Sequence, residues 1–556
     1  MRLAPSHLLR GVLAAAALTA TAVHVDAQVS QPVSADTLAS IDALFSRWDT
    51  ASGPGCVVGA DRGGQRLFTR AYGMADLEHG VANTPQTVFN VGSVSKQFTA
   101  AAILALVADG EILLDDDVRT YFPEIPDYGE TITVDHLLRH TSGLRDWGEI
   151  VALTGYVWRW TAYTNEDVLE ITARQRALNH PPGDYFSYTN TGYILLGLLI
   201  DRVTGQTLPE YTHERFFAPL GMTSTQWNDD YRRVVPRRAA GYVRSGGAYI
   251  RDTPDDFVIG SGSLLSTVDD LLRWNEALRT GALGPGITEA MEETVVLDTG
   301  KPEIYGRGLF VNTHAGHREV QHGGTTIGYQ AWTGRYTESG LSIALLCNLS
   351  VGDNVGLGRE VMHRLLPGKG ASEADVASVV TLTAAQAAAR AGVFVSDVNG
   401  QLYDFEAEGT RLVHQGEAGV PITPHRIRFG WGDVVYDESL DQMDVDEEFG
   451  QGGTWRRVDG SLPTADELAE IAGHYYSPDA AALFEATIES DQLVLRPVGR
   501  RIYVMQLRPV GPDMFRSPAT VFRVLRDASG RVEALAASRP RLHDLRLDRV
   551  ALDFAP

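Results

Sequence analysis

Lysine is almost absent from this chain. Of its 48 basic residues only Lys96, Lys301 and Lys369 are lysine, so the other 45 are arginine. Basic residues as a whole are outnumbered by 71 acidic ones, which gives a formal net charge of −23. Such a charge argues against nucleic acid or an anionic membrane as a partner. The densest basic run, residues 232–251, has few aromatic residues that could stack on bases, and we interpret it as a solvated loop region.

Cysteine is limited to Cys56 and Cys347, both in strand-like stretches. Neither has a neighbouring histidine or second cysteine, which argues against a metal site and against a cysteine nucleophile. The sequence leaves open whether the two form a disulfide or remain buried thiols. The H-E-x-x-H and G-x-S-x-G motifs are also missing, which disfavours a metallohydrolase and an α/β-hydrolase. We therefore expect no metal and no cofactor.

Long apolar runs are missing apart from one near the N-terminus. Residues 11–23 form an apolar run that is too short for a membrane span of about 20 residues. Arg2 and Arg10 flank its beginning, and Val25-Asp26-Ala27 provides a small-x-small cleavage site. The pattern predicts a signal peptide over residues 1–27. We expect an exported protein, periplasmic or extracellular, without a membrane span.

The order of predicted elements indicates the domain organisation. Residues 28–366 alternate as helix, strands, helices, strands and helix, which favours an α/β sheet covered by terminal helices with a helical insertion. Residues 367–375 have the composition of a linker. Beyond it, Thr383-Ala384 recurs 81 residues later as Thr464-Ala465, within a longer repeat. This repeat predicts two similar small antiparallel β-domains or barrels, over residues 376–460 and 461–556.

Ser93 and Lys96 stand at the start of an apolar segment that ends at Gly110 and predicts a buried helix. Positions i and i+3 share one helix face. A serine hydroxyl is a poor nucleophile until a base takes its proton. Arginine cannot act as that base, whereas a desolvated lysine can. We interpret the pair as catalytic, and a capping serine followed by a surface lysine is the alternative.

The segment FNVGSVSKQFT, residues 89–99, resembles the active-site motif of the penicillin-recognising serine hydrolases. That superfamily includes class C β-lactamases, D-alanyl-D-alanine carboxypeptidases, D-aminopeptidases and related esterases. Two further motifs of the superfamily follow in order, Tyr188-Thr189-Asn190 and His322-Gly323-Gly324. The resemblance covers about residues 35–366. It implies a β-lactamase/transpeptidase-like domain, in which an antiparallel sheet flanked by helices is joined to a helical region.

The resemblance also implies catalytic roles. Ser93 would attack the substrate carbonyl and carry the acyl group, and Lys96 and Tyr188 would share its proton. A cation beside Tyr188 would lower the pKa of that phenol. Tyr188 would then protonate the leaving group and activate the deacylating water. Asn190 would orient Lys96 and the substrate amide.

The third motif would supply the edge strand of the site. His322 would bond the substrate or Tyr188, and Gly323 and Gly324 would let the substrate backbone lie close to the strand. The resemblance places the oxyanion hole at the backbone N–H groups of Ser93 and Thr325.

The chain departs from part of the superfamily at His322, where β-lactamases and carboxypeptidases carry lysine. A largely neutral imidazole attracts a substrate carboxylate less strongly than lysine does. The resemblance therefore favours D-aminopeptidases, which also carry two β-barrel domains, and esterases. We predict a serine hydrolase that acts as a D-amino-acid amidase or aminopeptidase on small peptides or amides. The alternatives are a carboxylesterase or weak β-lactamase, and a non-catalytic protein that binds peptide or cell-wall fragments.

An aminopeptidase needs an anion near its cleft to bind a free ammonium group. Residues 436–450 form an acidic run in the first predicted β-domain. We hypothesise that Asp441, Asp444 and Asp446 reach the active site from there. A solvated acidic hairpin is the alternative.

Overall fold

A six-stranded antiparallel sheet forms the centre of the catalytic domain. The computed structural model describes residues 32–155, 161–230, 232–253, 257–368, 380–447, 453–458, 460–499 and 503–551. The strands are β1 (Cys56–Arg62), β2 (Gln65–Tyr72), β3 (Phe310–His314), β4 (His317–Thr326), β5 (Tyr329–Tyr336) and β6 (Leu341–Cys347). Their order across the sheet is β3-β4-β5-β6-β1-β2. The first strand in sequence, β1, thus pairs with the last, β6. Strand β4 lies next to β3, which forms one edge of the sheet.

Helices pack on both faces of this sheet. The helices are α1 (Ala35–Phe45), α2 (Lys96–Ala108), α3 (Val134–Leu138), α4 (Trp147–Leu153), α5 (Asn165–Ala173), α6 (Asn190–Thr204), α7 (Leu208–Thr212), α8 (Val268–Thr280), α9 (Ile287–Glu292) and α10 (Asn354–Leu365). Alternation along β1 sends Val58 into one core with α1 and α10, whereas Val57 enters the larger core that contains α2 and α8. The predicted α/β sheet with terminal helices and a helical insertion is confirmed.

The domain also contains three short two-stranded sheets and one three-stranded sheet. Their bounds are Met74–Asp76 with Val81–Ala82, Tyr242–Ser245 with Ala248–Arg251, Val295–Val296 with Pro302–Glu303, and the three-stranded set Phe89–Asn90, Leu264–Ser266 and Gln226–Trp227. The three-stranded set matters for the site, because Phe89–Asn90 leads directly into the turn that carries Ser93.

Cys56 and Cys347 form a disulfide. The two residues are direct partners in the pairing of β1 with β6, and both are fully buried. The bond closes a loop of 291 residues between the first and last strands of the sheet. It resolves the alternatives that the sequence left open.

Two antiparallel β-domains follow the catalytic domain. The first opens with α11 (Ala384–Arg390) and has β7 (Gly392–Ser396), β8 (Leu402–Glu408), β9 (Arg411–His414), β10 (Glu417–Ala418), β11 (Val420–Pro421), β12 (Arg426–Phe429), β13 (Gly432–Tyr436), β14 (Gln442–Glu447) and β15 (Gly453–Arg457). The second opens with α12 (Ala465–Ile471) and has β16 (Gly473–Ser477), β17 (Ala482–Glu489), β18 (Gln492–Pro497), β19 (Met505–Gly511), β20 (Met514–Ser517), β21 (Thr520–Arg526), β22 (Val532–Arg539) and β23 (Leu542–Val550).

The sequence repeat has a structural counterpart. Thr383 and Thr464 both cap a short helix with a reciprocal capping box, and a strand beginning at Gly392 or Gly473 follows each helix. The first domain is a nine-stranded sheet and the second is a closed eight-stranded barrel. The prediction of two small antiparallel β-domains is therefore confirmed.

Two predictions from the sequence concern segments that the structure does not describe, wholly or in large part. The signal peptide over residues 1–27 and most of the linker over residues 367–375 lie outside the described residues. In the part of the chain that the structure describes, no helix combines the length and the apolarity needed to cross a lipid bilayer.

We expect the disulfide to stabilise the catalytic domain. Replacing Cys56 and Cys347 together by alanine should lower its free energy of unfolding by about 2–5 kcal/mol, because a long loop in the unfolded chain is no longer constrained. Urea titration of variant and wild type measures the difference. Repeating both titrations with reductant provides the control, since the wild type then loses the same constraint. An unchanged midpoint without reductant would contradict a stabilising cross-link.

Candidate active site

Ser93 stands at the start of a buried helix. The 3-10 turn Gly92–Ser95 leads directly into α2, and Gly92 has a φ of 52°, a left-handed conformation that suits glycine. The side chain of Asn90 accepts the N–H of Gly92 at 2.9 Å, and the Ser95 hydroxyl donates to the Gly92 carbonyl at 2.6 Å. These bonds fix the turn. They hold Ser93 at the positive end of the helix dipole, which favours a developing alkoxide.

Lys96 is fully buried one turn later in the same helix. Its Nζ donates to Asn190 Oδ1 at 2.8 Å and to the Ser261 carbonyl at 2.7 Å, and Ser93 Oγ lies 3.3 Å away. The amide oxygen and the carbonyl can only accept, so they take two N–H bonds of the amine. In the neutral amine the remaining position is the lone pair, and it faces the Ser93 hydroxyl.

The electrostatic surroundings favour that neutral form. Burial lowers the pKa of Lys96 well below its ordinary value, and the positive charge of Arg541 lowers it further. The negative charge of Asp146 opposes them and is the weakest of the three influences on this pKa. Lys96 can therefore accept a proton from Ser93 at a pH where an exposed lysine would already be protonated.

Tyr188 is the second titratable group beside Ser93. Burial raises its pKa to about 12 and outweighs the charge of Arg541 and the hydrogen bond with Ser93, both of which lower it. The expectation that a cation gives Tyr188 a net lowered pKa is therefore wrong, because the desolvation of the phenolate dominates. Tyr188 is a protonated phenol at neutral pH and is suited to donate a proton.

Buried polar groups fix the segment that carries Tyr188 and Asn190. Asp146 accepts the backbone N–H of Asn190 at 2.7 Å, where α6 begins. Nδ1 of His140 accepts the N–H of Thr189 at 3.2 Å, and the His140 ring centroid lies 4.2 Å from that of Tyr188. Burial lowers the pKa of His140 well below its usual range, so this ring is neutral. His140 thus packs against the site.

His322 is also buried and neutral. Burial is the main reason why its pKa falls to about 3. Its Nδ1 donates to the Gly323 carbonyl at 2.6 Å, so Nε2 is left to accept the hydroxyl proton of Tyr305 at 3.2 Å. The ring centroids of His322 and Tyr188 are 6.4 Å apart. In this structure His322 therefore pairs with Tyr305, a residue outside every motif that the sequence offers, and not with Tyr188.

The turn before Ser93 packs tightly against β4. A Cβ atom added to Gly324 would lie 2.0 Å from the Val91 carbonyl oxygen and 3.1 Å from the Ser93 nitrogen, and one added to Gly92 would lie 2.9 Å from the Thr325 nitrogen. This close approach places the backbone of Thr325 next to the turn that carries Ser93, as an oxyanion hole formed by their two N–H groups would require. Gly324 is therefore required by protein packing, whereas the sequence suggested that it makes room for the substrate.

The eight sequence-predicted site residues meet around Ser93. They are Ser93, Lys96, Tyr188, Asn190, His322, Gly323, Gly324 and Thr325. They come from the start of α2, the start of α6 and strand β4, three segments far apart in the sequence.

A large cleft opens on one side of Ser93. Its volume is about 620 Å³, and Tyr188 and His322 contribute to its walls. Val445 of the first β-domain and Arg541 of the barrel also line it, so all three folded units contribute to one cleft. Sequence patterns gave no indication of Arg541, because a single arginine in an arginine-rich chain carries no motif.

A smaller pocket of about 270 Å³ also includes Ser93. Trp147 and Thr325 contribute to its walls, and Asp252 is the only acidic residue among the described residues that line it. Ser93 therefore stands between two spaces, one lined by an arginine and the other by an aspartate.

The three aspartates of the 436–450 run that we expected at the active site, Asp441, Asp444 and Asp446, do not line either space. Asp441 is paired with Arg457 at 3.3 Å, and Asp444 accepts a hydrogen bond from Thr454 at 2.8 Å. Side chains alternate along β14, so Val445 faces the cleft while Asp444 and Asp446 are exposed on the other face. The hypothesis that Asp441, Asp444 and Asp446 bind a substrate ammonium is therefore wrong. Strand β14 does reach the cleft, but through Val445.

Comparisons with known proteins agree with this geometry. The protein-family model described as Beta-lactamase matches residues 41–364, which is more than half of the chain. The chain is 30% identical over 302 residues to a D-aminopeptidase from Cereibacter sphaeroides, an alignment that covers 53% of this chain and 57% of that protein. The chain thus matches little more than half the length of this relative.

Two solved structures are similar to it. A D-stereospecific amidohydrolase from Streptomyces sp. aligns with a TM-score of 0.51 at 26% identity, over 60% of this chain and all of that one. The octameric penicillin-binding protein homologue from Pyrococcus abyssi aligns with a TM-score of 0.53 at 20% identity. That alignment covers 92% of this chain and 98% of the other, so the fold likeness extends into the C-terminal β-domains.

We expect Gly324→Ala to disrupt the site and Gly323→Ala to spare it. The added methyl group at Gly324 would collide with the Val91 carbonyl, whereas at Gly323 its nearest neighbours are 3.5 Å away. Displacing the Ser93 backbone should slow its chemistry about 100-fold, while the control variant should stay within about twofold of wild type. The rate at which a fluorophosphonate probe labels Ser93 measures both. Equal rates for the two variants would contradict the packing argument.

Proposed function

The chain belongs to the Beta-lactamase family, and we propose that it hydrolyses amide bonds in small D-amino-acid peptides and amides through an acyl-enzyme on Ser93. The observation that carries the proposal is the buried Lys96 amine, whose two acceptors leave its lone pair toward the Ser93 hydroxyl. The likeness to a D-aminopeptidase and to a D-stereospecific amidohydrolase supports the substrate class.

Acylation begins with proton transfer from Ser93 to the neutral amine of Lys96. Ser93 Oγ then attacks the substrate carbonyl, and the N–H groups of Ser93 and Thr325 stabilise the oxyanion. Asn190 accepts from Lys96 in both protonation states, so the base keeps its orientation during the transfer.

Tyr188 completes acylation as the general acid. Its raised pKa keeps the proton on the phenol until a basic amine leaves. It gives that proton to the leaving nitrogen and recovers one from Lys96. The leaving group therefore occupies the large cleft, where Tyr188 lies, and the acyl group occupies the smaller pocket. Water then attacks the ester. Its proton passes to the neutral amine of Lys96 through Tyr188, which accepts one proton as it donates its own, and Lys96 returns a proton to Ser93 Oγ as the acid leaves.

Asp252 suits an acyl group that carries a free ammonium. It is largely buried, and it lines the smaller pocket together with Trp147 and Val258. A carboxylate in such a partly apolar pocket attracts an ammonium group more strongly than an exposed one would. The anion that an aminopeptidase requires is therefore assigned to Asp252 in place of the 436–450 run.

We also propose that the protein is exported and works in the periplasm or outside the cell. The N-terminal pattern and the buried disulfide support this, because disulfides persist in oxidising compartments. N-terminal sequencing of the protein recovered from a bacterial host tests the proposal. We expect the first residue to be Gln28, and an unprocessed Met1 in the cytoplasmic fraction would contradict export.

Parallel hydrolysis assays test the proposed activity. The substrates are D-alanine p-nitroanilide, its L enantiomer, N-acetyl-D-alanine p-nitroanilide, p-nitrophenyl butyrate and nitrocefin, with Ser93→Ala as the control. We expect turnover of D-alanine p-nitroanilide that is lost in the control. Asp252→Asn should raise KM for this substrate about tenfold or more, since it removes a charged partner, and should leave the N-acetyl substrate unaffected.

Other outcomes have defined meanings. Ser93-dependent turnover of the butyrate ester alone would make the protein an esterase, and turnover of nitrocefin alone would make it a β-lactamase. If no substrate showed Ser93-dependent turnover, the alternative of a non-catalytic protein that binds peptide or cell-wall fragments would be favoured.

A further inference from the structure

The tip of one barrel hairpin enters the active-site cleft. Strands β22 and β23 are joined by a turn at Pro540 and Arg541, and both residues line the large cleft. The Arg541 carbonyl accepts the backbone N–H of Asp146 at 3.0 Å and the side-chain amide of Asn179 at 3.1 Å. The hairpin tip is therefore bonded to the same aspartate that fixes the start of α6.

Charge pairs between the catalytic domain and the barrel hold the barrel in this position. Arg145 pairs with Asp479 at 2.7 Å, and both side chains are almost completely buried. Arg176 binds the other oxygen of Asp479 at 2.6 Å, and Arg539 of the hairpin pairs with Glu149 at 2.7 Å. Since these partners belong to different folded units, they fix the position of the hairpin tip relative to Ser93.

The Arg541 guanidinium lies beside the ring of Tyr188. Its Cζ lies 4.8 Å from the centroid of the Tyr188 ring. Among the described residues no side chain forms a hydrogen bond or ion pair with it. It is also the only charged residue among those described as lining the large cleft, because burial keeps His322 neutral there. A half-buried arginine without an acidic partner is an open site for an anion.

We propose that Arg541 binds a carboxylate on the leaving group, so that the preferred substrates are peptides in which a free amino-acid carboxylate follows the scissile bond. The inference rests on the proposed function, since it assigns the leaving group to the cleft of Tyr188. Arginine matches a carboxylate with two parallel hydrogen bonds. The enzyme would thus release a D-amino acid from a short peptide acid in preference to a neutral amide.

The distances suit an amino acid directly after the scissile bond. Its nitrogen takes the proton of Tyr188, and its carboxylate carbon lies about 2.5 Å from that nitrogen. The guanidinium beside the Tyr188 ring is therefore within reach of the carboxylate while the nitrogen stays at the phenol. The ammonium end of the same substrate lies across Ser93, in the pocket of Asp252.

Arg541 also acts on the base. Its charge lowers the pKa of Lys96, which Asp146 raises, while the neighbouring His140 and His322 are neutral. Removing the cation therefore raises the pKa of Lys96 and moves the acidic limb of kcat/KM to higher pH. Values of kcat/KM for different substrates should therefore be compared at alkaline pH, on the plateau of the pH profile, where Lys96 is neutral with or without Arg541.

A matched substrate pair tests the inference in the full-length protein. The pair is D-alanyl-D-alanine and D-alanyl-D-alaninamide, which differ only in the carboxylate. Arg541→Met should lower kcat/KM on the plateau by about 10- to 100-fold for the acid and leave the amide within about twofold. Arg541→Lys should restore part of the preference for the acid. Arg508→Met, at an exposed position of the same barrel, is the control and should match wild type.

A binding arm keeps this test separate from the test of the proposed function. Titration calorimetry with Ser93→Ala should show tighter binding of the acid than of the amide, and Arg541→Met in that background should abolish the difference. Wild-type enzyme that turns over neither peptide would overturn the proposed function, while the titration still decides the role of Arg541. Equal losses on both peptides, or equal binding of acid and amide, would overturn the inference.

Discussion

Lys96 can serve as a base only while water is excluded from its amine and two hydrogen-bond acceptors keep the lone pair of the amine directed at Ser93. Desolvation of the ammonium form is the largest cause of the lowered pKa of Lys96. The carbonyl of Ser261 and the amide oxygen of Asn190 accept the two N–H groups and so orient the lone pair of the amine. The elements around the site serve this constraint. Helix α2 is buried almost throughout, α6 begins at Asn190, and the glycine at position 324 lets β4 close against the turn before the nucleophile.

The same burial separates the two proton carriers. It lowers the pKa of Lys96 and raises that of Tyr188 to about 12, so at neutral pH one group is a base and the other an acid. Arg541 lowers both values, and it does so from another folded unit. The buried pair of Arg145 and Asp479 thus has a chemical consequence, since it holds the barrel whose hairpin carries that arginine.

The motifs could be read from sequence because each carries chemistry in consecutive residues. Ser93 and Lys96 share a helix face, and the repeat at Thr383 and Thr464 follows from the need to cap a helix before a strand. Tyr305 and Arg541 could not be found in this way. Their importance comes from neighbours far along the chain, and no local pattern distinguishes one arginine among 45. The acidic run at 436–450 led to a wrong prediction, although its charge pattern is conspicuous in the sequence. A run of charges does not indicate which face of a strand lines the cleft.

The sequence by itself determined the order of elements, the two kinds of domain and the candidate catalytic residues, because helix and strand periodicity and short motifs depend on near neighbours. Only the tertiary structure decided the protonation states, the partner of His322 and the two sides of the cleft. Those properties depend on desolvation and on charges that arrive from distant segments, including Asp252 from the catalytic domain and Arg541 from the barrel. A pKa or a pocket is a property of the space that these segments enclose, and that space exists only in the folded chain.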